Sequence, residues 1–374
     1  MKQRHFKTLS LVVILSGILA CSVESQSRSK SIDAKIQGMG DSNKISVMAY
    51  NVENLFDTEH DAGKDDYTNL PRAYKKAHAK EMQAACQSMS TDYFRKECME
   101  LDWSEEVLDT KLSRLADSIL QVNGRGPDIL IMEEVENINV VRILNRGYLK
   151  AAGYQTEILI EAEDRRGIDV AVLSRLPLAS PAEIHLIDFT PNPKDPNWKK
   201  PLTRGILEAP LKLPNGETLY VFGFHFPSQA NPVQERMDAV DTLNRLMSEK
   251  PAGALMVAGG DSNITAVEDQ NTGLKRQVLS AQWDVSNIVG CQKCSGTHFY
   301  RNEWDFLDLL LFSPSLKPQG QGAYAYDPSS IQVMKQGQYQ LQKNGTPARF
   351  NANSSIGISD HLPIYAEILL KSKQ

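Results

Sequence analysis

Nine short apolar runs with the composition of β-strands recur along the chain, and several end in side chains able to bind a cation or move a proton. They cover Ile45–Tyr50, Asp128–Met132, Tyr154–Ile160, Asp169–Leu173, Gly205–Leu211, Thr218–Phe226, Ala254–Ala258, Phe306–Phe312 and His361–Leu369, bounded by turn-forming residues. Helical stripes lie between them. In Ser104–Val122 the residues Val107, Leu108, Leu112, Leu115, Ile119 and Val122 share one face, with Asp102 or Ser104 placed to cap the start. Similar stripes occupy Asn139–Ala152 and Val233–Met247, the latter through Met237, Val240, Leu243 and Leu246. Many strands with helices interspersed, and no repeat of fixed period, predict a layered α/β protein.

The N-terminus reads as an export signal. Lys2, Arg4 and Lys7 precede the apolar stretch Leu9–Ala20, which is too short to span a bilayer. The following Ile18-Leu19-Ala20-Cys21 resembles a bacterial lipobox, so residues 1–20 are expected to be a lipoprotein signal peptide and Cys21 the lipidated mature N-terminus. A cleaved signal with an incidental cysteine is the alternative. The chain is therefore expected in the cell envelope, and Ser22 after the cysteine is similar to the sorting residue of Gram-negative lipoproteins and implies the outer membrane if the host is Gram-negative. Residues 21–43, rich in Ser, Lys, Gln and Gly, predict a flexible tether.

Loss of the three cations in residues 1–20 takes the formal charge from −5 to −8. A protein that holds nucleic acid by bulk charge is usually basic, and only short pairs such as Lys75-Lys76 and Lys199-Lys200 occur here. Affinity for a polyanion must therefore come from a metal and a few arginines. Besides Cys21, four cysteines remain, Cys86, Cys98, Cys291 and Cys294, and two local disulfides are the expected use in an oxidising compartment. Free thiols, or a zinc or redox half-site at Cys291 and Cys294, are the alternatives. Residues 58–103 read as an insertion, polar and mostly helical over Pro71–Met89. Its acidic start (Glu59, Asp61, Asp65, Asp66) lacks EF-hand spacing and reads as a solvated loop.

Five segments carry the chemistry. A strand ends in Asn51; a buried run ends in the pair Glu133 and Glu134; a strand ends in His225; Gly259-Gly260 are expected to break a strand before Asp261 and Asn263; and Ser359-Asp360-His361 opens the final strand. Each alone is compatible with a turn or a satisfied hydrogen bond. Taken in order, Asn, Glu, His, Gly-Asp-x-Asn and Ser-Asp-His-x-Pro resemble the endonuclease/exonuclease/phosphatase superfamily, the DNase I-like fold, over about Ile45–Leu369. Tyr50-Asn51-Val52-Glu53-Asn54, Arg166-Gly167-Ile168-Asp169 and Gly296-Thr297-His298 look most like its exported bacterial nuclease-like members.

That resemblance implies a four-layered α/β sandwich, two packed mostly antiparallel or mixed sheets flanked by helices, in a single catalytic domain over residues 44–371. It implies a hard cation, Mg²⁺ or Mn²⁺, bound through oxygen, with Glu134 as direct ligand, Asn51 close to the metal to hold substrate phosphate or a ligand water, and Asp360 as a further metal-site acid, directly or through water. The middle residue of the family's Leu-Gln-Glu is replaced by Glu133, which keeps Glu133 open as a rival. His361 takes the place of base or transition-state stabiliser, oriented by Asp308, with Asp305 a weaker rival and Phe306 standing where the family has Arg. Asp261 would position the attacking water and Asn263 bind a phosphate oxygen or orient that water, with Ser262 in place of the family's Phe. His225 matches a histidine on the leaving-group side, and Arg204 a phosphate-binding arginine. Asp169 is placed either to orient His225 or to stabilise the fold, and His298, near Tyr300 and Trp304, either at the pocket rim or in packing.

The function expected is a surface-anchored, metal-dependent phosphodiesterase, a monomeric nuclease cutting DNA or RNA, bound to the membrane through its lipid alone. A phosphatase or sphingomyelinase-like lipid phosphodiesterase is the enzymatic alternative, since one core serves all three. A noncatalytic surface binding protein is the alternative of another class.

Overall fold

The computed structural model describes residues 43–371; the signal segment, Cys21 and the tether up to residue 42 lie outside them. In chain order the strands are β1 (Lys44–Leu55), β2 (Ile129–Val135), β3 (Thr156–Leu159), β4 (Asp169–Ser174), β5 (Glu183–His185), β6 (Ile206–Lys212), β7 (Thr218–His225), β8 (Leu255–Asp261), β9 (Asp284–Val285), β10 (His298–Tyr300), β11 (Glu303–Asp305), β12 (Asp308–Phe312), β13 (Tyr324–Tyr326), β14 (Gln332–Val333) and β15 (Ile364–Leu370). One sheet has the order β13-β15-β1-β2-β4-β3, with β14 also on β15; the other runs β5-β6-β7-β8-β12-β9, and β10 and β11 form a separate hairpin. Among the described residues only β1–β2 and β7–β8 pair in parallel; the other pairs are antiparallel.

Side-chain alternation sorts the apolar residues into layers. Ile45, Val47 and Ala49 of β1 meet Val221 of β7 and Val257 of β8 between the sheets. Met48, Tyr50 and Val52 point the other way, against Leu108, Leu112, Leu115 and Ile119 of the helix Glu105–Leu120. Behind the second sheet, Phe222, Phe224, Met256 and Ala258 pack on Val240, Leu243 and Leu246 of the helix Val233–Ser248. The result is helix, sheet, sheet, helix: the four-layered sandwich. Among the described residues no helix is long and apolar enough to cross a membrane.

Strand register brings the polar strand ends together. Asn51 stands opposite Glu133 on the parallel pair β1–β2. In the second sheet His225 stands opposite Asp261, and Asp261 opposite Asp308. Two parallel pairs facing each other therefore collect the chemistry at one end of the sandwich.

Several sequence expectations shift. Gly259 and Gly260 do not break β8, which runs on to Asp261. At Gly260, φ is +147° and a Cβ would meet the Phe224 carbonyl oxygen at 1.8 Å, so this close approach of β8 to β7 requires glycine. The Asn139–Ala152 stripe is a short helix, Ile138–Ile143, followed by a π-turn and a 3₁₀ turn. The final strand starts at Ile364 rather than His361, because His361 instead bridges to His298 of the hairpin.

The insertion contains three helices, Arg72–Ala77, Ala79–Gln87 and Asp92–Glu100, around a small core of Leu70, Met82, Cys86 and Cys98. A disulfide joins Cys86 to Cys98, and another joins Cys291 to Cys294. Buried Lys75 donates to the carbonyls of Thr68, Cys98 and Leu101 at 2.7–2.9 Å, satisfying acceptors at a helix end. The Trp103 indole N–H donates to the Phe56 carbonyl at 3.1 Å, closing the base of the insertion. Its acidic start is not a solvated loop throughout: Asp66 is buried and accepts from His60 Nδ1 at 2.5 Å and the Asp61 N–H at 2.8 Å.

Candidate active site

Asp261 Oδ2 is the hub. It accepts from Asn51 Nδ2 at 3.2 Å and Asn263 Nδ2 at 3.3 Å, and lies 3.6 Å from His225 Nε2 and 3.9 Å from His361 Nε2. Its other oxygen accepts the Asn263 N–H at 2.8 Å. Asn263 adopts a left-handed φ of 52°, and its amide also donates to the Phe226 carbonyl at 3.0 Å. Burial, opposed by His361 and reinforced by Asp308, pushes the Asp261 carboxyl up to about 7, a value suited to accepting a proton near neutral pH.

His361 Nδ1 is 2.8 Å from Asp308 Oδ2. The backbone around it is fixed through Ser359, whose hydroxyl donates to the Asn51 carbonyl at 2.7 Å and accepts the His361 N–H at 3.0 Å. Burial works against protonation of His361, but Asp308, Asp261 and Asp360 outweigh it and hold its pKa well above the ordinary imidazole value. Asp305 accepts instead from the Ala266 N–H at 2.7 Å, so the partner of His361 is Asp308. His298 packs with its ring centroid 4.7 Å from that of His361: it lies against the site rather than only in the hairpin.

His225 has the opposite surroundings. Burial comes first, then the positive charges of Arg204 and Arg166, and together they hold its pKa well below the ordinary value. Arg204 is buried, with Nε 3.5 Å from Asp164 Oδ2. Asp169 does not orient His225: it accepts the Ala162 N–H at 3.2 Å, and His225 Nδ1 has no partner among the described residues.

Glu134 sits at the end of β2 with φ 63°. Its carboxylate takes Asn51 Nδ2 at 3.4 Å and the Asn54 N–H at 3.0 Å. Glu53 and Asn54 are also left-handed, with φ of 51° and 58°, conformations costing about 1–3 kcal/mol each where no glycine relieves them. That turn holds the Glu53 carboxylate under three donors: Arg349 Nε at 2.5 Å, the Phe350 N–H at 2.9 Å and the Asp360 N–H at 3.1 Å. Arg349 Nε is also 3.6 Å from Asp360 Oδ2. Glu133 is fully buried, and neither of its oxygens has a partner among the described residues; burial raises its pKa well above the ordinary value.

The donor set fits a hard cation. Among the described residues no group of three or more His, Cys, Asp or Glu is arranged to hold a metal, and the four cysteines are spent in disulfides. The partly exposed carboxylates of Glu134 and Asp360 suit an ion taking one or two protein oxygens and completing its shell from water and phosphate. Glu53, Arg349 and Asp164 were not singled out in the sequence. Glu53 lies inside the Asn-Val-Glu-Asn segment, where it had a signal; Arg349 and Asp164 lie in irregular chain and had none.

A family profile described as Endonuclease/Exonuclease/phosphatase family matches residues 91–370. No curated protein sequence matches the chain. Among solved structures, an endonuclease/exonuclease/phosphatase family protein from Bacteroides thetaiotaomicron is similar at 14% identity and TM-score 0.52, covering 88% of this chain and 98% of that one. TDP2 of D. rerio, humanized by 14 mutations, is similar at 16% identity and TM-score 0.51, covering 88% and 99%. A mannosyl-6-phosphatase from Bacteroides thetaiotaomicron is similar at 14% identity and TM-score 0.50, covering 87% and 100%. These likenesses show the fold.

Proposed function

The chain belongs to the endonuclease/exonuclease/phosphatase family, and from that premise we propose that it is a divalent-metal-dependent phosphodiester hydrolase of the cell envelope. The observation that carries this reading is the shared Asp261 oxygen, 3.6 Å from an imidazole kept neutral and 3.9 Å from one kept protonated. Paired groups whose environments drive their pKa values apart mark acid and base roles. Asp261 accepts the proton of the attacking water. His361, as imidazolium held by Asp308, stabilises charge on a phosphoryl oxygen, and Asn263 orients the water. Neutral His225 holds the leaving-oxygen side, with Arg204 favouring the anionic phosphate. Glu134 and Asp360 would hold Mg²⁺ or Mn²⁺, with Asn51 bracing Glu134; when bound, the cation supplies Lewis-acid polarisation of the phosphate.

Nucleic acid is the first substrate to test. A phosphoester of an uncharged alcohol is the second reading, favoured by the carboxylate-lined cavity beside the site. Export and lipid anchoring at Cys21 are supported by the signal-like residues 1–20 and by two disulfides suited to an oxidising compartment, and the working unit is read as a monomer. The test is hydrolysis by the full chain, purified in detergent, of plasmid DNA, RNA, bis(p-nitrophenyl) phosphate and inositol phosphates, each with Mg²⁺, Mn²⁺ or EDTA. Diester cleavage that needs the cation and disappears in His361→Ala is expected. Cleavage of monoesters alone would move the reading to phosphatase, and inactivity of the folded protein on every substrate would replace it with a binding function.

A further inference from the structure

The insertion and the segment 342–356 face each other across a cavity of about 1010 Å³. Glu53 and Asn54 contribute to its lining, the same strained pair that supports Glu134 through the Asn54 N–H. The cavity therefore opens beside the catalytic residues, and no step described above uses it. One wall is the helix Asp92–Glu100, which turns Tyr93, Glu97 and Glu100 to the cavity at i, i+4 and i+7 spacing; the Cys86–Cys98 disulfide ties that wall to the neighbouring helix.

The lining chemistry is selective. Five carboxylate residues (Glu53, Glu97, Glu100, Asp102, Glu106) stand against two arginines, Arg72 and Arg349, and five side-chain amides accompany them. Glu53 pairs with Arg349, Asp102 lies 3.9 Å from Arg72 and Glu100 3.8 Å from Lys96, whereas Glu97 and Glu106 have no ion-pair partner among the described residues, so a phosphate chain continuing into this space meets net negative charge. Hydroxyl groups meet acceptors and donors throughout. A quaternary ammonium lacks an aromatic cage here: Trp103 is buried, and the Phe350 ring is already covered by Lys111 Nζ at 4.7 Å, leaving Tyr93 as the exposed aromatic ring. At the inner end Arg349 is oriented by Glu53 and Asp360 through Nε, its side chain is 69% exposed, and its terminal nitrogens have no hydrogen bond among the described residues.

We propose that this cavity is the subsite for an uncharged polyhydroxylated group, a sugar or cyclitol, esterified to the scissile phosphate, and that Arg349 holds an oxygen of that phosphate. The inference rests on the phosphodiesterase reading and names the substrate class for the same site. It is tested on the full chain by measuring kcat and KM for glycerophosphoinositol, a glycerol–glucose phosphodiester, plasmid DNA and bis(p-nitrophenyl) phosphate, in the wild type, Asn353→Trp, the charge reversal Glu97→Lys with Glu100→Lys, and Arg349→Ala. The cyclitol and sugar arms separate the two forms of the polyol. Preference for a polyol diester over DNA is expected. Filling the cavity with Asn353→Trp should raise KM for that diester about tenfold or more, with kcat within about twofold. Charge reversal should shift the kcat/KM ratio toward DNA about tenfold, and Arg349→Ala should raise KM for every phosphodiester. Turnover of bis(p-nitrophenyl) phosphate with neither polyol diester cleaved, or a polyol KM indifferent to both cavity variants, overturns the subsite while leaving the phosphodiesterase reading intact. Failure to cleave bis(p-nitrophenyl) phosphate with any cation overturns both. Among the described residues none of the substituted cavity residues has a hydrogen bond or ion pair with His225 or His361, and a thermal melt run on each variant separates misfolding from lost binding.

Discussion

The two histidine flanks of the site are built alike and charged oppositely. Each imidazole is buried at a sheet end, and each lies within 4 Å of the same Asp261 oxygen. On one flank carboxylates from β12, β8 and the Ser-Asp-His turn surround His361 and keep it protonated. On the other, Arg204 and Arg166 add to burial and keep His225 neutral. Burial alone does not decide the state of a buried group; the sign of its neighbours does. Two copies of one residue type thereby hold different protonation states at one pH.

The strongest way to break this comparison is to remove each ring in turn. On the mechanism proposed above, His361→Gln deletes a charge aimed at the transition state and should lower kcat by about 10³-fold. His225→Gln deletes a neutral partner and should lower it by about 10²-fold. Steady-state kinetics on bis(p-nitrophenyl) phosphate give both numbers; equal losses would mean that the two flanks are not differentiated in function.

A second experiment sharpens the comparison by altering one flank's charge and leaving its ring in place. Arg204→Gln removes a cation that opposes protonation of His225, so the His225 pKa should rise. The ring then becomes cationic at higher pH than in the wild type, and the acid limb of the kcat/KM profile should move to higher pH. An acid limb that stays in place would assign the neutrality of His225 to burial without help from Arg204. The complementary change, Asp308→Asn, should lower the His361 pKa and bring down the alkaline limb.

What made the flanks legible in the sequence, and what hid their difference, have separate physical causes. Asn51, Glu134, His225, Asp261 and His361 stand at or near the ends of apolar runs, and strand periodicity announces such positions. The choice of Asp308 over Asp305 followed from the family resemblance, and the register of β12 on β8 accounts for it by setting Asp308 opposite Asp261. The charge states were not legible. Arg166 lies in the turn before β4 and Arg349 in irregular chain between β14 and β15, and both reach the site only through tertiary packing. The position of the insertion was hidden for the same reason: no local pattern says that the helix Asp92–Glu100 borders a cavity shared with Arg349. The Gly259-Gly260 pair misled in the other direction, because glycine that ends a strand and glycine that lets two strands approach look the same in sequence.

The smallest effect isolates burial from charge. Asp169 is buried beside the site but joins neither flank, and burial, only partly offset by the Ala162 N–H and Lys64, pushes its carboxyl up to about 7. Its folded pKa lies above the unfolded value, so between about pH 4 and pH 7 the native state binds more protons than the unfolded chain. Stability is then largest at the acid end of that window and declines as pH rises through it, by on the order of 2–4 kcal/mol in all. Asp169→Asn keeps the oxygen that accepts the Ala162 N–H and removes the ionisation. Its melting temperature should match the wild type near pH 4 and exceed it by a few degrees at pH 8. If the two proteins instead melt with the same pH slope, burial at this sheet end is weaker than the flank argument assumes, and the neutrality of His225 must then rest on its two arginines.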